Sequence, residues 1–239
     1  MTQSSPGRKQ KPPANMAGRD EPARGPAEDT KQRLIDAALD TFGRFGFDGA
    51  STREIARRAG VNLAAIPYHF GGKDGLHKAV AQHIVDEVAG RIGPAVDAVA
   101  TALDRGEVDP GQARDMLQMV TGNAVEVILG HPEASRWAPF VLREQIDPSP
   151  TFDVIYDGFL ERMHKTMTAL YARATGQSES APESIAAVFM LFGQLVIFRM
   201  GRAMVDRRLG WKGYGEPEIG LVREVLRKHL DATIEAGRA

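Results

Sequence analysis

A cluster of polar, basic and aromatic side chains lies between residues 51 and 73 of the 239-residue chain. An asparagine amide can pair with adenine, and alanine and leucine side chains can contact thymine methyl groups. Lysine, arginine, threonine and tyrosine side chains suit phosphate oxygens. The expected contacts are Thr52, Arg53, Asn62, Leu63, Ala64, Ala65, Tyr68, His69 and Lys73. This chemistry is that of nucleic-acid recognition. For His69, packing within the domain is an equally good interpretation.

Two short helices separated by a three-residue turn would position these side chains. Ser51 followed by Glu54 predicts a capping box at the start of the first helix. Gly60 suits the left-handed conformation in which that helix ends. Asn62 is a good N-cap for a second helix over residues 63–70. The pattern predicts a helix-turn-helix, whose second helix lies in the DNA major groove.

Further helices should support this unit. Residues 29–46 carry a broad apolar stripe, with Asp29 or Thr30 as the N-cap and Gly46 at the end. A long fourth helix is expected from about Lys73, with a kink near Pro94. The remaining helices are expected at 112–129, 133–146, 151–174, 182–209 and 217–236.

The fold class predicted is all-α, with about nine helices, because no segment alternates apolar and polar residues. Residues 1–28 are rich in Pro, Gly, Ser, Lys and Arg, a composition that favours a disordered tail. The alternative for this tail is a basic arm that contacts DNA. We expect a DNA-binding domain at 29–90 and a C-terminal domain for ligand binding and dimerisation at 91–239.

Charge and composition limit the possible functions. The net charge is −1, so a DNA-binding role depends on a local basic surface. Residues 30–80 supply one, with eight Lys and Arg against five Asp and Glu. The chain has no cysteine, which suits a reducing cytoplasm. The apolar stretch 185–198 is shorter than a bilayer span of roughly 20 residues and predicts a buried helix, so no membrane association is expected.

Aromatic and methionine residues at helical spacing predict either a plain core or an apolar pocket in the C-terminal domain. The ligand-binding residues expected there are Trp137, Phe140, Arg143, Phe152, Tyr156, Phe159, Met163, Gln194 and Arg199. Arg199 interrupts an apolar run, and a buried charge needs a partner. It either forms an ion pair with Glu144 or binds an anionic group of a ligand.

The last two helices are expected to form a homodimer. Residues 182–202 are apolar on nearly every face, and residues 218–230 form an amphipathic neighbour. Two such pairs would give an isologous four-helix contact. The alternative is an ordinary buried helix within one subunit.

Enzymatic function is not expected. The six histidines show neither an H-x-x-x-H pair nor an H-E-x-x-H motif, so we expect no metal and no cofactor. The chain also lacks a G-x-S-x-G motif and a phosphate-binding glycine loop.

Three motifs occur in order: A-x-x-x-F-x-x-x-G, T-x-x-E-I-A-x-x-A-G-V and Y-H-F-x-x-K-x-x-L. Together they resemble the N-terminal domain of the TetR family of bacterial regulators, over about residues 30–90. AAIPYHFGGKDGL is similar to the CecR-type branch, as is the later stretch REQIDPSPTFDVIYDGFLERMHKTMTALYARATG. Pro67 departs from the family, which often has an aromatic residue there, and predicts a distorted second helix.

The resemblance implies an all-helical homodimer, often a repressor, that releases DNA when a small molecule binds. We therefore expect a ligand-responsive regulator that binds double-stranded DNA at a pseudo-palindromic operator. The competing hypotheses are a protein-interaction module built on a helical bundle and, third, an enzyme that uses the bundle pocket.

Overall fold

The computed structural model describes residues 25–238. These residues form ten helices and no strand: α1 (Pro26–Gly49), α2 (Thr52–Ala59), α3 (Ala65–Phe70), α4 (Lys73–Asp104), α5 (Pro110–Val125), α6 (Ala134–Ile146), α7 (Phe152–Ile155 and Glu161–Thr175), α8 (Pro182–Met200), α9 (Arg202–Leu209) and α10 (Glu216–Gly237). A π-helical turn, Glu126–Gly130, extends α5, and another, Tyr156–Leu160, joins the two parts of α7. The all-α prediction is confirmed, and most of the predicted N-terminal tail lies outside the described residues.

Helix α1 begins earlier than expected and changes direction at Gly46. Gly25 occupies the N-cap position, and the hydroxyl of Thr30 donates to the carbonyl of Pro26, so neither Asp29 nor Thr30 caps the helix. Gly46 has φ 75° and ψ 177°, a conformation that favours glycine. Most of the predicted apolar stripe is buried, with Leu34 and Ala38 fully inaccessible to solvent, but Phe45 is 43% exposed.

Helix α4 runs unbroken for 32 residues and contains Pro94. It therefore passes through the expected domain boundary at residues 90–91. Helix α4 packs against α1 and α3 and also against α7. The same helix belongs to both parts of the molecule, so a displacement of either part acts on the other.

Helix α6 belongs to the core of the N-terminal domain. Its residues Phe140 and Val141 lie in one apolar cluster with Leu39, Phe42 and Val80. A second cluster joins α5, α7, α8 and α10. Hence α6 and the start of α7 connect the DNA-binding part to the C-terminal bundle.

Helix α8 is much more exposed than the sequence predicted. It is 19 residues long with mean hydropathy 1.6, and only 22% of its most apolar window is buried. By length and composition alone such a helix could cross a membrane. The expectation of a buried helix was therefore wrong for the single subunit. The helix also ends at Gly201, where α9 begins, instead of continuing to residue 209.

Candidate nucleic-acid interface and ligand cavity

The predicted helix-turn-helix is formed by α2 and α3, but the capping box is absent. The side chain of Ser51 makes no capping hydrogen bond. Glu54 instead binds Arg57 at 2.7 Å and Arg58 at 2.8 Å. Hydrogen bonds from these two guanidinium groups lower the pKa of Glu54 to about 2. Their charges are thus partly neutralised, which leaves Arg53 as the exposed cation of α2 without an ion pair among the described residues.

The turn between the helices explains why Pro67 is tolerated. Gly60 ends α2 in the left-handed region at φ 65°, and the carboxamide oxygen of Asn62 accepts the N–H of Ala64 at 2.9 Å. Helix α3 begins only at Ala65, two residues later than predicted. Pro67 consequently occupies the first turn, where its missing N–H has no partner to lose. The N–H groups of Ala65 and Ile66 bond three residues back, to Asn62 and Leu63, so the turn at Leu63 is distorted as predicted. From Ala65 on the helix is regular, with the Tyr68 N–H bonded to the Ala64 carbonyl at 3.2 Å.

The side chains predicted to contact DNA lie on the α2–α3 surface to different extents. Tyr68 is 83% exposed and Leu63 is 42% exposed. His69 is half-buried, with its ring edge-on to Tyr68 at 4.9 Å between centroids. Arg53, Asn62 and Ala64 are exposed, whereas Thr52 and Ala65 are half-buried. The recognition-helix residues therefore present an apolar and aromatic face with few charges.

Lys73 is held in place by the end of α1. Its ammonium lies 4.6 Å from the centroid of the Phe47 ring and 3.5 Å from the carbonyl oxygen of Asp48. It stands at the first turn of α4, where free N–H groups favour an anion. Gly75 follows, and a Cβ there would lie 1.7 Å from the carbonyl oxygen of Phe70. Only glycine permits this close approach of α3 to α4.

A cavity of about 810 Å³ lies between α4, α5, α6, α7 and α8. Its wall is mainly apolar, and both π-helical turns contribute to it. Such turns are frequent at functional sites. At Gly158, in the second turn, a Cβ would lie 2.7 Å from Val85, so this turn packs closely on α4.

The structure places six of the nine predicted ligand-binding residues in the cavity wall, namely Trp137, Phe152, Tyr156, Phe159, Met163 and Arg199. The other three lie elsewhere. Phe140 is 1% exposed and packs edge-on to Phe42 in the N-terminal core. Arg143 donates to the carbonyl of Arg44 at 3.2 Å. The Gln194 carboxamide contacts His229 at 2.7 Å. Sequence periodicity could not assign these residues because it does not tell which neighbouring helix a side chain faces.

Arg199 does not pair with Glu144. Its Nε donates to the carbonyl of Ile128 at 2.6 Å and its Nη2 is 3.5 Å from the carbonyl of Leu129. Burial, together with nearby Arg202, lowers the pKa of Arg199. No carboxylate within the described residues forms an ion pair with it. A half-buried cation at the cavity wall therefore retains capacity for an anionic or carbonyl oxygen.

Glu144 lies instead in a buried polar cluster between α4, α6 and the α6–α7 loop. His77 is 2% exposed. Its Nε2 is 3.4 Å from the Glu144 carboxylate, and its Nδ1 is 3.0 Å from the hydroxyl of Thr151. The hydroxyl of Ser149 donates to the other Glu144 oxygen at 2.7 Å. The rings of Phe42, Phe47 and Phe140 surround His77, and burial lowers its pKa to about 4.

Several cavity residues were missed by sequence reasoning. Among them are His164 on α7 and the aliphatic residues Val88, Ile92 and Ile128. Trp137 and His164 line the cavity, and their nitrogens Nε1 and Nε2 are buried with no hydrogen-bond partner among the described residues. His164 occurs at helical spacing from Leu160 and Thr168, which also line the cavity. That spacing was a signal in the sequence that could have identified it.

Comparison with known families accounts for most of the chain. Residues 34–80 match the family of bacterial regulatory proteins called tetR. Residues 113–237 match the C-terminal domain of the HTH-type transcriptional dual regulator CecR. The chain is 29% identical over 208 residues to that regulator from Shigella flexneri, across 87% of this chain and 92% of the relative.

Solved structures support the same fold. The transcriptional regulator FadR from Bacillus subtilis, in complex with stearoyl-CoA, superposes with a TM-score of 0.54 at 15% identity, over 83% of this chain and 96% of that one. A transcriptional regulator from Rhodococcus sp. Rha1 gives a TM-score of 0.55 at 21% identity, over 87% and 98% of the two chains. At these identities the likeness concerns the fold alone.

Proposed function

The chain belongs to the TetR family of bacterial regulatory proteins, with a C-terminal domain of the CecR type, and we propose that it is a dimeric repressor controlled by a small apolar molecule. As a member of this family it is a transcriptional regulator that binds DNA through its helix-turn-helix. The observation that supports ligand control is the cavity of about 810 Å³, one wall of which is α6, the helix that packs on α1. We propose that it works in the cytoplasm, with no enzymatic activity.

Helix α6 provides the coupling between cavity and DNA. On one face Trp137, Val141 and Gln145 line the cavity. On the opposite side Arg136 binds Asp40 of α1 at 3.1 Å, and Arg143 binds the end of α1. A ligand that displaces α6 therefore moves α1 and the helix-turn-helix with it. A roughly 100-fold preference of the ligand for the displaced state corresponds to about 2.7 kcal/mol of coupling.

The DNA-contacting surface is proposed to be the set of side chains predicted from sequence. Tyr68 and Leu63 would meet base edges, because they are the most exposed large side chains of the α3 region. Arg53 and Lys73 would contact phosphates, and the first turn of α4 would add backbone N–H groups. Lys73 is preorganised for that task by Phe47.

A homodimer would form through the exposed stripe of α8 and the adjacent face of α10. Met190, Ile197 and Met200 recur at helical spacing on α8 and are 69%, 44% and 55% exposed. Leu221 and Val225 of α10 are 52% and 42% exposed. The two helices contact each other, so these side chains can form one apolar surface. Two copies of this surface give an isologous interface and set two recognition helices against one operator.

The DNA-binding proposal is tested by selecting operator DNA from a random pool with the full chain. We expect enrichment of a pseudo-palindromic sequence, because a two-fold dimer reads two half-sites. Tyr68→Ala should weaken binding and change the enriched bases, while Tyr68→Phe separates the contribution of the hydroxyl from that of the ring. Recovery of DNA without a shared half-site would contradict the proposal.

A further inference from the structure

Two neighbouring rows of residues run along α8, one in the cavity wall and one exposed. The row in the cavity wall is Ile185, Phe189, Phe192, Val196 and Arg199. Each of these residues is followed in the chain by an exposed residue, and the second row is Ala186, Met190, Gly193, Ile197 and Met200. Successive residues lie about 100° apart around a helix axis. The exposed row therefore lies directly beside the cavity wall along most of α8.

The cavity wall is itself exposed where the two rows meet. Phe189 is 61% exposed and Ile185 is 37% exposed, although both residues line the cavity. The His164 ring lies 4.0 Å from the Phe189 ring between centroids, and the rest of the Phe189 side chain remains open to water. Apolar surface that a ligand and these two side chains leave in water contributes nothing to binding. In a single subunit the cavity is thus incomplete along this edge of α8.

A second copy of the chain suits this edge because the exposed row is nearly symmetrical about Gly193. Met190 precedes Gly193 by three residues and Ile197 follows it by four, while Ala186 and Met200 lie seven residues to either side. A Cβ at Gly193 would have no atom within 4 Å, so the packing of its own subunit leaves room there. The absence of a side chain lets another helix approach closely. Two antiparallel copies of α8 that cross at Gly193 therefore bring the C-terminal half of one exposed row against the N-terminal half of the other.

We propose that the partner subunit closes the ligand cavity. In the antiparallel arrangement, Ile197 of the partner subunit lies opposite Phe189, and Met200 of the partner subunit lies near Ile185. The complete site for an apolar ligand then belongs to the dimer and not to one subunit. Ligand binding and dimer formation are linked, and each strengthens the other by the same factor. This inference rests on the proposed dimer and on the proposed control by a small molecule.

A fluorescent apolar compound tests whether the cavity needs the partner. We would titrate 1-N-phenylnaphthylamine, which is neutral and brightens in apolar surroundings, into the wild type, Met190→Glu and Met119→Glu. Met190 does not line the cavity, so its replacement removes the partner without changing the wall. Loss of about 50 Å² of apolar cover corresponds to about tenfold weaker binding. We expect that loss of affinity in a folded Met190→Glu monomer, and wild-type affinity in the Met119→Glu control.

The compound can also bind the apolar stripe that a monomer exposes, so cavity binding must be identified separately. Ala124 lines the cavity, and the titrations are repeated with Ala124→Trp added to each protein. Only the binding that Ala124→Trp removes is assigned to the cavity.

Linkage gives a second measurement that does not require a charged substitution. Met190→Ala trims the stripe, and the monomer–dimer midpoint of this variant is measured by sedimentation. Saturating 1-N-phenylnaphthylamine should move that midpoint to about tenfold lower protein concentration.

Equal cavity affinity in the dimer and in the folded monomer would overturn the proposal, as would a midpoint that the compound leaves unchanged. Failure of the proposed function gives a different result. In that case the dimer binds the compound more tightly than the monomer does, but the compound leaves operator affinity unchanged. A compound that releases operator DNA and binds monomer and dimer alike would support ligand control and place the whole site within one subunit, against the proposal.

Discussion

The buried histidine between the DNA-binding part and the bundle should make stability fall in mild acid. His77 is 2% exposed, and its pKa drops from 6.5 to about 4 because burial disfavours the charged imidazolium. The charge of Asp74 opposes this shift and that of Lys73 adds to it, but burial dominates. Between these two pKa values the unfolded chain binds more protons than the folded protein. The contribution of His77 to the free energy of unfolding is therefore fully present above about pH 6.5 and is lost as the pH falls toward 4.

The size of the effect follows from the two pKa values. With 6.5 unfolded and about 4 folded, the free energy of unfolding should drop by about 2 kcal/mol between about pH 8 and about pH 5. By about pH 4 the loss should reach roughly 3 kcal/mol. The assay is urea denaturation followed by circular dichroism at several pH values.

His77→Gln serves as the matched variant, because an amide can hydrogen-bond to Glu144 and Thr151 but does not titrate. The variant should lose less stability than the wild type over the same pH range, and the difference isolates His77 from other titrating groups. Identical pH dependence in the two proteins would show that His77 is not the buried neutral group described above. A steeper loss in the variant would refute the sign of the argument.

Two further outcomes follow from the packing. Gly75→Ala should lower the melting temperature strongly and abolish operator binding, since its Cβ would meet a backbone carbonyl at 1.7 Å. The control Gly90→Ala, with no atom within 4 Å of its Cβ, should be neutral or stabilising. Similar melting temperatures for the two variants would contradict the close approach of α3 and α4. Met190→Glu should give monomers by light scattering, because it places a charge in the apolar stripe of α8. The control Met119→Glu, on an exposed part of α5, should leave the dimer intact. A dimeric Met190→Glu variant would show that the interface lies elsewhere.

Helix periodicity predicted the fold class because every helix buries an apolar face. The local details depended on which of several possible partners a side chain binds and on where a helix begins, and periodicity reports neither. Glu54 was assigned to the Ser51 cap, but two arginines one turn later bind it more strongly. Pro67 was expected to distort the second helix, and the deviation is confined to the turn at Leu63 because α3 starts only at Ala65.

The cavity was harder to predict than the fold. Phe140 and Phe159 belong to the same buried apolar cluster, yet of the two only Phe159 also lines the cavity. The same applies to Arg199 and Glu144, for which an ion pair was expected because Arg199 interrupts one apolar run and Glu144 ends another apolar helix. Which charges meet is set by helix packing, and a single sequence does not encode it in any local pattern.

The central claim is that filling the cavity weakens DNA binding, and it can be measured without knowing the ligand. Ala124 on α5 lines the cavity, and Ala124→Trp would occupy part of it. Ala98→Trp, at an exposed position on α4, is the control. Both would be titrated against the selected operator by fluorescence anisotropy. We predict weaker operator binding for Ala124→Trp in a folded dimer, with Ala98→Trp close to the wild type. Unchanged operator affinity in a folded Ala124→Trp dimer would contradict control of DNA binding by the cavity.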